Sequence, residues 1–316
     1  ISDYFSDRGY KVTFRDDDKK KWLNFLNKKE IIKFSTTNYW LDYQKEYLSQ
    51  ELDFQEISFM VNNSNNIDFI LPIFYSQKQN KLLLRDNFYE LPIFRDGLNA
   101  NQIKEYSFDV LKFFFNNTKY QKSNSLLKLD EDNEIIKMIE EINPRMNYNY
   151  FNEYSVNTCL DFQEIKKQVR KSYKQFSNNK FKDVEIREYD KNIDEKTWLD
   201  FKRLHIKVAG RQTRSDKTWN IQYKNLKENS SFFIAAYVND ILAAGAYFEK
   251  SISECYYSVS VSDEKYSDFK LMHMILFVSI KKCISLKILK LNLGDEYIAS
   301  DLNSVDEIKL KNISFF

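Results

Sequence analysis

The sequence predicts an α/β protein of the α+β type, in which mixed, mostly antiparallel sheets are flanked by helices. The first observation is element order, because the second half of the chain runs strand, two helices, three strands, helix, strand. The second is Asn239-Asp240, a good two-residue hairpin turn between two of those three strands. The third is length: a single hydrophobic core rarely supports as many as 316 residues, which predicts two domains.

Apolar spacing predicts each element of the second half. Predicted strands alternate apolar residues or run them together, and predicted helices repeat them every three or four positions. Gly210 ends the helix before it, and Gly294 ends the last strand. The strands are predicted at 184–189, 231–238, 241–249, 254–262 and 287–293, and the helices at 164–178, 194–208, 218–227 and 270–284.

The first half reads as helices followed by strands. Strands 57–61 and 69–75 are joined by a polar turn at residues 62–66, and Pro72 indicates an edge position or a bulge in the second strand. Pro144 marks a boundary, which divides the chain into domains 1–150 and 151–316. The remaining predictions are helices at 17–29, 38–50 and 101–117 and strands at 81–85 and 126–129.

Composition excludes several classes of protein. A net charge of +2 argues against a protein whose main role is to coat nucleic acid. Five Gly and three Pro exclude collagen-like and low-complexity chains, and no apolar run approaches the roughly 20 residues of a membrane span. Three scattered cysteines fit a reducing compartment, so a cytoplasmic location is expected.

The polar stretch around His205 is the first candidate site. His205 lies in the last turn of a predicted helix, where the helix dipole favours imidazolium, and it is a candidate base. Arg211 and Arg214, with Thr213 between them, suit a phosphate or carboxylate. The alternatives are structural: a packed or capping histidine, and a helix that begins with Ser215 as its N-cap. Trp219 completes this predicted substrate site.

A second candidate site joins a strand to the following helix. Tyr256, Tyr257 and Ser260 lie on an alternating strand, with Ser260 as a predicted substrate contact, and the helix N-terminus at Lys270 could hold a phosphate. His273 lies one turn into that helix, where a partly buried structural histidine is the alternative. With five scattered glycines, neither a dinucleotide fingerprint nor a P-loop can be built, and no zinc motif is present in the sequence.

Four segments of the second half resemble the Fem-type acyltransferases of the GNAT superfamily. The segments are Arg170-Lys-Ser-Tyr-Lys174, residues 205–219 with their Ala-Gly-Arg-Gln-Thr-Arg-Ser core, Tyr256-Tyr-Ser-Val-Ser260 and Leu289-Lys-Leu-Asn-Leu-Gly294. The resemblance implies tandem GNAT-like domains, the first of them degenerate and the second carrying the acyltransferase. It also implies acyl transfer to an amine, from acyl-CoA or aminoacyl-tRNA as co-substrate, without a metal or a tightly bound cofactor.

The implied acceptor is an amino sugar, a nucleotide-linked sugar or a lipid-linked cell-envelope precursor. The chain lacks the Arg-x-x-Gly-x-Gly/Ala phosphate cradle of CoA-dependent GNAT enzymes before Lys270, while its weak net charge disfavours RNA, so both donors stay open. In this hypothesis His205 removes a proton, Tyr256 or Tyr257 hydrogen-bonds the reacting centre, and a cleft holds them with Arg211 and Arg214.

The alternative function is a non-catalytic module on a decayed GNAT fold that binds carbohydrate or transfer RNA. The basic helix at 164–178 could meet a polyanion such as transfer RNA, although a solvated helix face is the favoured interpretation. This alternative predicts a continuous basic and aromatic groove in place of an enclosed acyl site.

Overall fold

A computed structural model of the chain divides into two compact units. One comprises residues 1–30 and 35–147, and the other comprises residues 31–34 and 148–316. The structure describes residues 1–63, 66–84, 88–116, 126–128, 133–142, 150–178 and 181–298. Pro144 and the middle of the predicted turn at 62–66 lie outside these ranges, as do the other residues of 143–149, just before the predicted domain boundary.

The first unit combines helices with short strands. Its described strands form a four-stranded antiparallel sheet in the order β1-β3-β4-β8, a three-stranded antiparallel sheet β2-β5-β6 and a parallel pair β7-β9. The helices are α1 Ser2–Ser6, α2 Lys19–Leu26, α3 Asn38–Leu52, α4 Ala100–Asn116 and α5 Asn133–Ile142. The strands are β1 Lys11–Phe14, β2 Phe54–Glu56, β3 Phe59–Asn63, β4 Asn66–Leu71, β5 Phe74–Ser76, β6 Lys81–Leu83, β7 Phe88–Glu90, β8 Ile93–Phe94 and β9 Leu126–Lys128.

Local signals explain where these elements begin and end. The Asp18 side chain caps α2 by accepting from the Lys21 amide, and the Thr37 side chain caps α3 in the same way. The predicted hairpin is confirmed by the antiparallel β3–β4 pair. The predicted strand 69–75 is wrong in its extent, because β4 stops before Pro72, which has no amide hydrogen to donate, and β5 pairs in another sheet.

The second unit is a six-stranded sheet with helices on both faces. The strand order is β10-β15-β14-β13-β12-β11, in which β14 and β15 pair in parallel and the other neighbours are antiparallel. The strands are β10 Tyr150–Asn157, β11 Val184–Tyr189, β12 Ser231–Val238, β13 Ile241–Lys250, β14 Glu254–Ser262 and β15 Lys290–Ile298. The helices are α6 Phe162–Gln168, α7 Lys171–Lys174, α8 Glu195–Ala209, α9 Asp216–Lys227 and α10 Leu271–Ser285.

Strand β12 shows how the two faces are filled. Phe232 and Ile234 pack in the core that includes α10, whereas Phe233 packs in the core formed with α8 and α9. Gly245 of β13 lies between Phe233 and Phe201, and a Cβ there would come within 2.8 Å and 2.9 Å of their rings. Helix α8, which carries Phe201, is therefore packed closely against the sheet.

The segment 31–34 joins the second unit through hydrogen bonds to the β13–β14 connection. The Ile32 amide donates to Ser253 Oγ over 2.7 Å, and the Ile32 carbonyl accepts from the Ser253 hydroxyl over 2.8 Å. The Phe34 amide donates to Glu254 Oε2 over 3.1 Å. A short segment from the first half of the sequence thus supplies hydrogen-bond partners to the residues at the start of β14.

Two predictions for the second unit are wrong. The single helix at 164–178 is divided, because Val169 has an extended backbone (φ −71°, ψ 144°) between α6 and α7. The last strand begins at Lys290 and continues through Gly294, which accommodates a register shift opposite β10 with a φ of 112°. The turn Asn239-Asp240 is confirmed, with φ values of 48° and 61°.

None of the helices within the described ranges has the length and apolar composition needed to cross a membrane.

Candidate functional site

Strands β14 and β15 separate after a short parallel pairing. In the described sheet, Glu254 to Tyr256 of β14 pair with Lys290 to Asn292 of β15. Beyond this point β14 continues to Ser262 against β13, and β15 continues against β10. The facing edges of the two strands are unpaired there, so backbone amides and carbonyls of β14 can reach a ligand. We call this feature the β14–β15 opening.

A β-bulge in β14 lies beside this opening. Tyr257 pairs with Phe248 and Val259 with Tyr247, which leaves Ser258 as an extra residue. The bulge reverses the alternation of side chains: Tyr257 packs on the α10 side, whereas Val259 packs on the α8 side. As a result, Tyr257 and Ser260 lie on the same side of the strand and share a hydrogen bond.

A cavity of about 320 Å³ lies between the end of α8, the bulged half of β14 and the start of α10. Its volume is at the lower end of the range of roughly 300–1,000 Å³ that is usual for small-molecule sites. It is therefore large enough for a small ligand. The cavity is lined by His205, Val208, Ala209, Tyr257, Ser260, Val261, Ser262 and Met272.

His205 is half-buried in the wall of this cavity, near the C-terminal end of α8. Its ring meets the ring of Trp219 edge to face, with centroids 5.4 Å apart. Burial, followed by the positive charge of Arg214, lowers the pKa of His205 from 6.5 to about 4. The expectation that the helix dipole favours imidazolium is therefore wrong, because both effects outweigh the dipole. His205 is neutral at pH 7, and its buried Nδ1 has no hydrogen-bond partner among the described residues.

Arg214 is placed by Trp219. The guanidinium carbon of Arg214 lies 5.2 Å from the centre of the indole ring. Trp219 itself is buried in the core and only 1% exposed, so the prediction that it contacts substrate is wrong. Its indole ring instead packs against Arg214 and His205. Thr213 contributes a buried hydroxyl that has no hydrogen-bond partner in the described part of the chain.

Arg211 is placed differently from Arg214. Neither arginine lines the cavity, contrary to the prediction that one cleft holds both of them with His205 and Tyr257. Arg211 is exposed and makes no hydrogen bond or ion pair with any described residue. The loop that carries it is fixed by Ser215, whose side chain caps α9 by accepting from the Thr218 amide over 3.2 Å. Asp216 adds a 2.8 Å bond from Lys202 and a 2.9 Å bond from Gln212. The capping and anion-binding interpretations of this loop are thus compatible.

The two adjacent tyrosines face different surroundings. Tyr257 lines the cavity, and burial raises its pKa to about 12, so its hydroxyl keeps its proton at pH 7 and can donate. Tyr256 lies outside the cavity lining and stacks on Phe34 with ring centroids 4.3 Å apart. The structure therefore places Tyr257, and not Tyr256, at the candidate reacting centre.

The predicted donor residues lie outside the cavity lining. Lys270 is exposed at the N-terminus of α10 with a left-handed backbone (φ 50°). His273 packs against Tyr173 and Phe176, with ring centroids 4.3 Å and 5.7 Å away, and burial lowers its pKa. The structure corrects the expectation for His273, because this packing places it away from the cavity. From this helix end, Met272 reaches the cavity.

Sequence reasoning missed the apolar part of the lining and the partner of Tyr256. Val208, Ala209 and Met272 carry no chemical signature that distinguishes them from core residues. Ser262 could have been found, since it continues the alternation of Ser260 along β14. Phe34 could not, because it lies in the other half of the sequence.

Comparison with known proteins gives matches among solved structures. No protein-family model and no curated protein matches the chain. FemX superposes with a TM-score of 0.58 at 10% identity, over 88% of this chain and 87% of FemX. A tandem GNAT protein from the clavulanic acid biosynthesis pathway gives 0.50 at 8% identity, over 96% and 93%. L-PGS from Bacillus licheniformis gives 0.53 at 10% identity, over 94% and 83%.

The chain has a Fem-type, tandem GNAT-like fold. The identities are low, so the likeness establishes the fold, and it confirms both the predicted fold class and the resemblance found in the sequence. Within this fold, the β14–β15 opening and the cavity beside it form the candidate site.

Proposed function

We propose that this protein is an N-acyltransferase that moves an acetyl or aminoacyl group from acyl-CoA or aminoacyl-tRNA to the amine of an amino sugar or cell-envelope precursor. The observation that carries the proposal is the cavity in which His205 and Tyr257 lie beside the bulged half of β14. The Fem-type fold and the segments resembling Fem-type acyltransferases support the same class of reaction.

The reaction forms a C–N bond and breaks the C–O bond of an ester or the C–S bond of a thioester. The attacking amine loses a proton, the departing hydroxyl of tRNA or thiol of CoA gains one, and negative charge develops on the carbonyl oxygen in between. The unpaired amides of β14 and the protonated hydroxyl of Tyr257 are donors suited to that oxygen. Holding both reactants in one cavity supplies much of the rate acceleration, because it removes the entropy cost of their encounter.

His205 accepts a hydrogen bond from the attacking amine in this mechanism. A neutral imidazole with a pKa of about 4 can orient an amine but is a weak acceptor of its proton. An anionic acceptor bound beside Arg214 would offset the charge that depresses this pKa, and so would make His205 a stronger base when substrate is present. Binding of the correct substrate would thereby activate the site.

The residues before α10 favour an aminoacyl ester as donor over the diphosphate of CoA. Glu264–Phe269 form a 3-10 helix without glycine, so no glycine-rich turn presents amides to a phosphate. The Asp263 carboxylate already accepts from the Lys265 amide over 3.1 Å. A diphosphate would have to displace this carboxylate and would be repelled by it.

The test is an acyl-transfer assay with acetyl-CoA and with aminoacyl-tRNA as donors, against a panel of free and nucleotide-linked amino sugars. His205→Ala and Tyr257→Phe should each lower kcat/KM by about 10²-fold or more. Tyr189→Phe, which removes a hydroxyl on β11, is the matched control and should retain activity.

Absence of transfer from both donors, together with tight binding of carbohydrate or transfer RNA, would overturn the proposal in favour of a binding module. Full activity in both site variants would show that the reaction takes place elsewhere.

A further inference from the structure

The first unit contains a second cavity, of about 410 Å³, with an excess of positive charge. Four cationic side chains line it, Lys21, Lys28, Lys29 and Arg95, against one carboxylate, Asp96. Counting the buried Asp68, which pairs with Arg95, the excess is still two positive charges. A concave surface focuses such a field, so this cavity attracts anions more strongly than a flat surface with the same charges would.

Arg95 is held in a fixed position. Its Nε donates to Asp68 Oδ1 over 2.7 Å, and the side chain of Asp68 is only 2% exposed. The Tyr106 hydroxyl donates to the other oxygen of Asp68 over 2.5 Å. These bonds orient the guanidinium, whose two terminal nitrogens have no partner among the described residues and can form paired hydrogen bonds to a phosphate.

The lysines differ in how far they are neutralised. Lys29 pairs with Asp96 over 2.5 Å, and Lys21 donates to the uncharged Asn62 side chain over 2.6 Å. The side chain of Lys28 is exposed and makes no hydrogen bond or ion pair within the described ranges. Two ammonium groups beside a preoriented guanidinium therefore lack an anionic partner.

We propose that this cavity binds the phosphate or diphosphate group of a small ligand. The volume is that of a small-molecule site, and Phe25 and Ile67 add apolar surface to its lining. A nucleotide and a phospholipid headgroup share this chemistry. A cavity of this size favours a small group over the extended backbone of RNA, for which a long basic surface would be expected. The site lies in a different unit from the candidate acyltransferase cavity, and its test does not require acyl transfer.

Isothermal titration of the full chain with inorganic diphosphate tests the proposal. Lys28→Gln should weaken binding about fivefold, since one unneutralised cation is lost while no bond in the fold is broken. Lys20→Gln is the matched control: Lys20 lies on α2, just before the turn that carries Lys28, is exposed and does not line the cavity. Arg95→Lys, which keeps the charge and removes the fork, should weaken binding as well, and thermal unfolding reports whether that variant is folded.

Competition then identifies the source of the phosphate. Displacement of diphosphate by a nucleoside diphosphate supports a soluble ligand, whereas displacement by vesicles of phosphatidylcholine containing phosphatidylglycerol, but not by phosphatidylcholine alone, supports a lipid headgroup. Absence of diphosphate binding, an equal loss in the Lys20 and Lys28 variants, or displacement by RNA alone would each overturn the proposal.

Discussion

The ring of Phe34 stacks on the ring of Tyr256, with centroids 4.3 Å apart and planes 3° from parallel. Phe34 belongs to the segment 31–34, which is part of the second unit although the residues on both sides of it belong to the first. One face of the Tyr256 ring is thus covered by a residue from the first half of the sequence. This leaves Tyr257, on the other side of β14, as the tyrosine of the cavity.

A double-mutant cycle measures the interaction energy between the rings of Phe34 and Tyr256. Phe34→Leu and Tyr256→Leu each remove one ring and keep a large apolar side chain. Stacked aromatic pairs contribute about 0.5–1.5 kcal/mol beyond buried area, so the cycle should give a coupling energy of that size. The measurement is urea unfolding of the wild type, both single variants and the double variant. Additive effects of the two substitutions would show that the rings do not interact.

His205 should titrate far below a normal histidine. The chain has two histidines, so proton NMR resolves their ring signals, and His273→Gln assigns the remaining one. We expect the pKa of His205 to be about 4. Because the unfolded chain binds this proton near pH 6.5 and the folded chain does not, His205 makes stability rise with pH between about 4 and 6.5. A midpoint at or above 6.5 would contradict this environment for His205.

Arg214 and Arg211 form a matched pair for testing the cause of this shift. Arg214→Gln removes a positive charge that lowers the pKa of His205, so the pKa should rise. Arg211→Gln removes the same charge from an exposed position and should leave the pKa unchanged. Both are read from the same NMR titration. An equal rise in the two variants would mean that the overall charge, and not the position of Arg214, controls His205.

Glu249 gives the opposite pH dependence. It is 2% exposed, and burial raises its pKa from 4.5 to about 7, against the hydrogen bond from the Tyr247 hydroxyl at 2.8 Å. The folded chain binds this proton more tightly than the unfolded chain, so its contribution is complete below pH 4.5 and is lost as the pH rises through 7. The change in the free energy of unfolding caused by Glu249→Gln should therefore be more favourable at pH 8 than at pH 5, by up to about 3 kcal/mol.

Urea unfolding at both pH values measures this difference. Glu188→Gln, at a surface-exposed carboxylate on β11, is the control and should show no such gain at pH 8. A gain in the Glu249 variant that is equal at pH 5 and pH 8 would show that ionisation of Glu249 is not its cause.

Local patterns in the sequence predict most of the second unit. Ser215 and Gly210 mark helix ends by chemistry that acts within a few residues, and both mark them in the structure. The extra residue Ser258 is not predictable in this way, because residues 255–261 read as one uninterrupted alternation. The bulge depends on pairing with β13, and it decides which tyrosine lines the cavity.

The candidate site is predicted in part for a similar reason. His205, Tyr257 and Ser260 have chemical side chains in polar stretches and do line one cavity. The burial of Trp219 and the effect of Arg214 on His205 depend on distances across the fold, which spacing along the chain does not determine. Phe34 is the extreme case, because its partner Glu254 lies 220 positions away.

The hydrogen bonds between Ile32 and Ser253 set an order of events during protein synthesis. The two residues are 221 positions apart. At a rate of about 5–20 residues per second, Ser253 emerges roughly 10–45 s after Ile32. During that interval Ile32 and Phe34 lack their final partners, although residues 35–147 have already been synthesised. The surroundings of Tyr256 are therefore completed late, after most of the chain has left the ribosome.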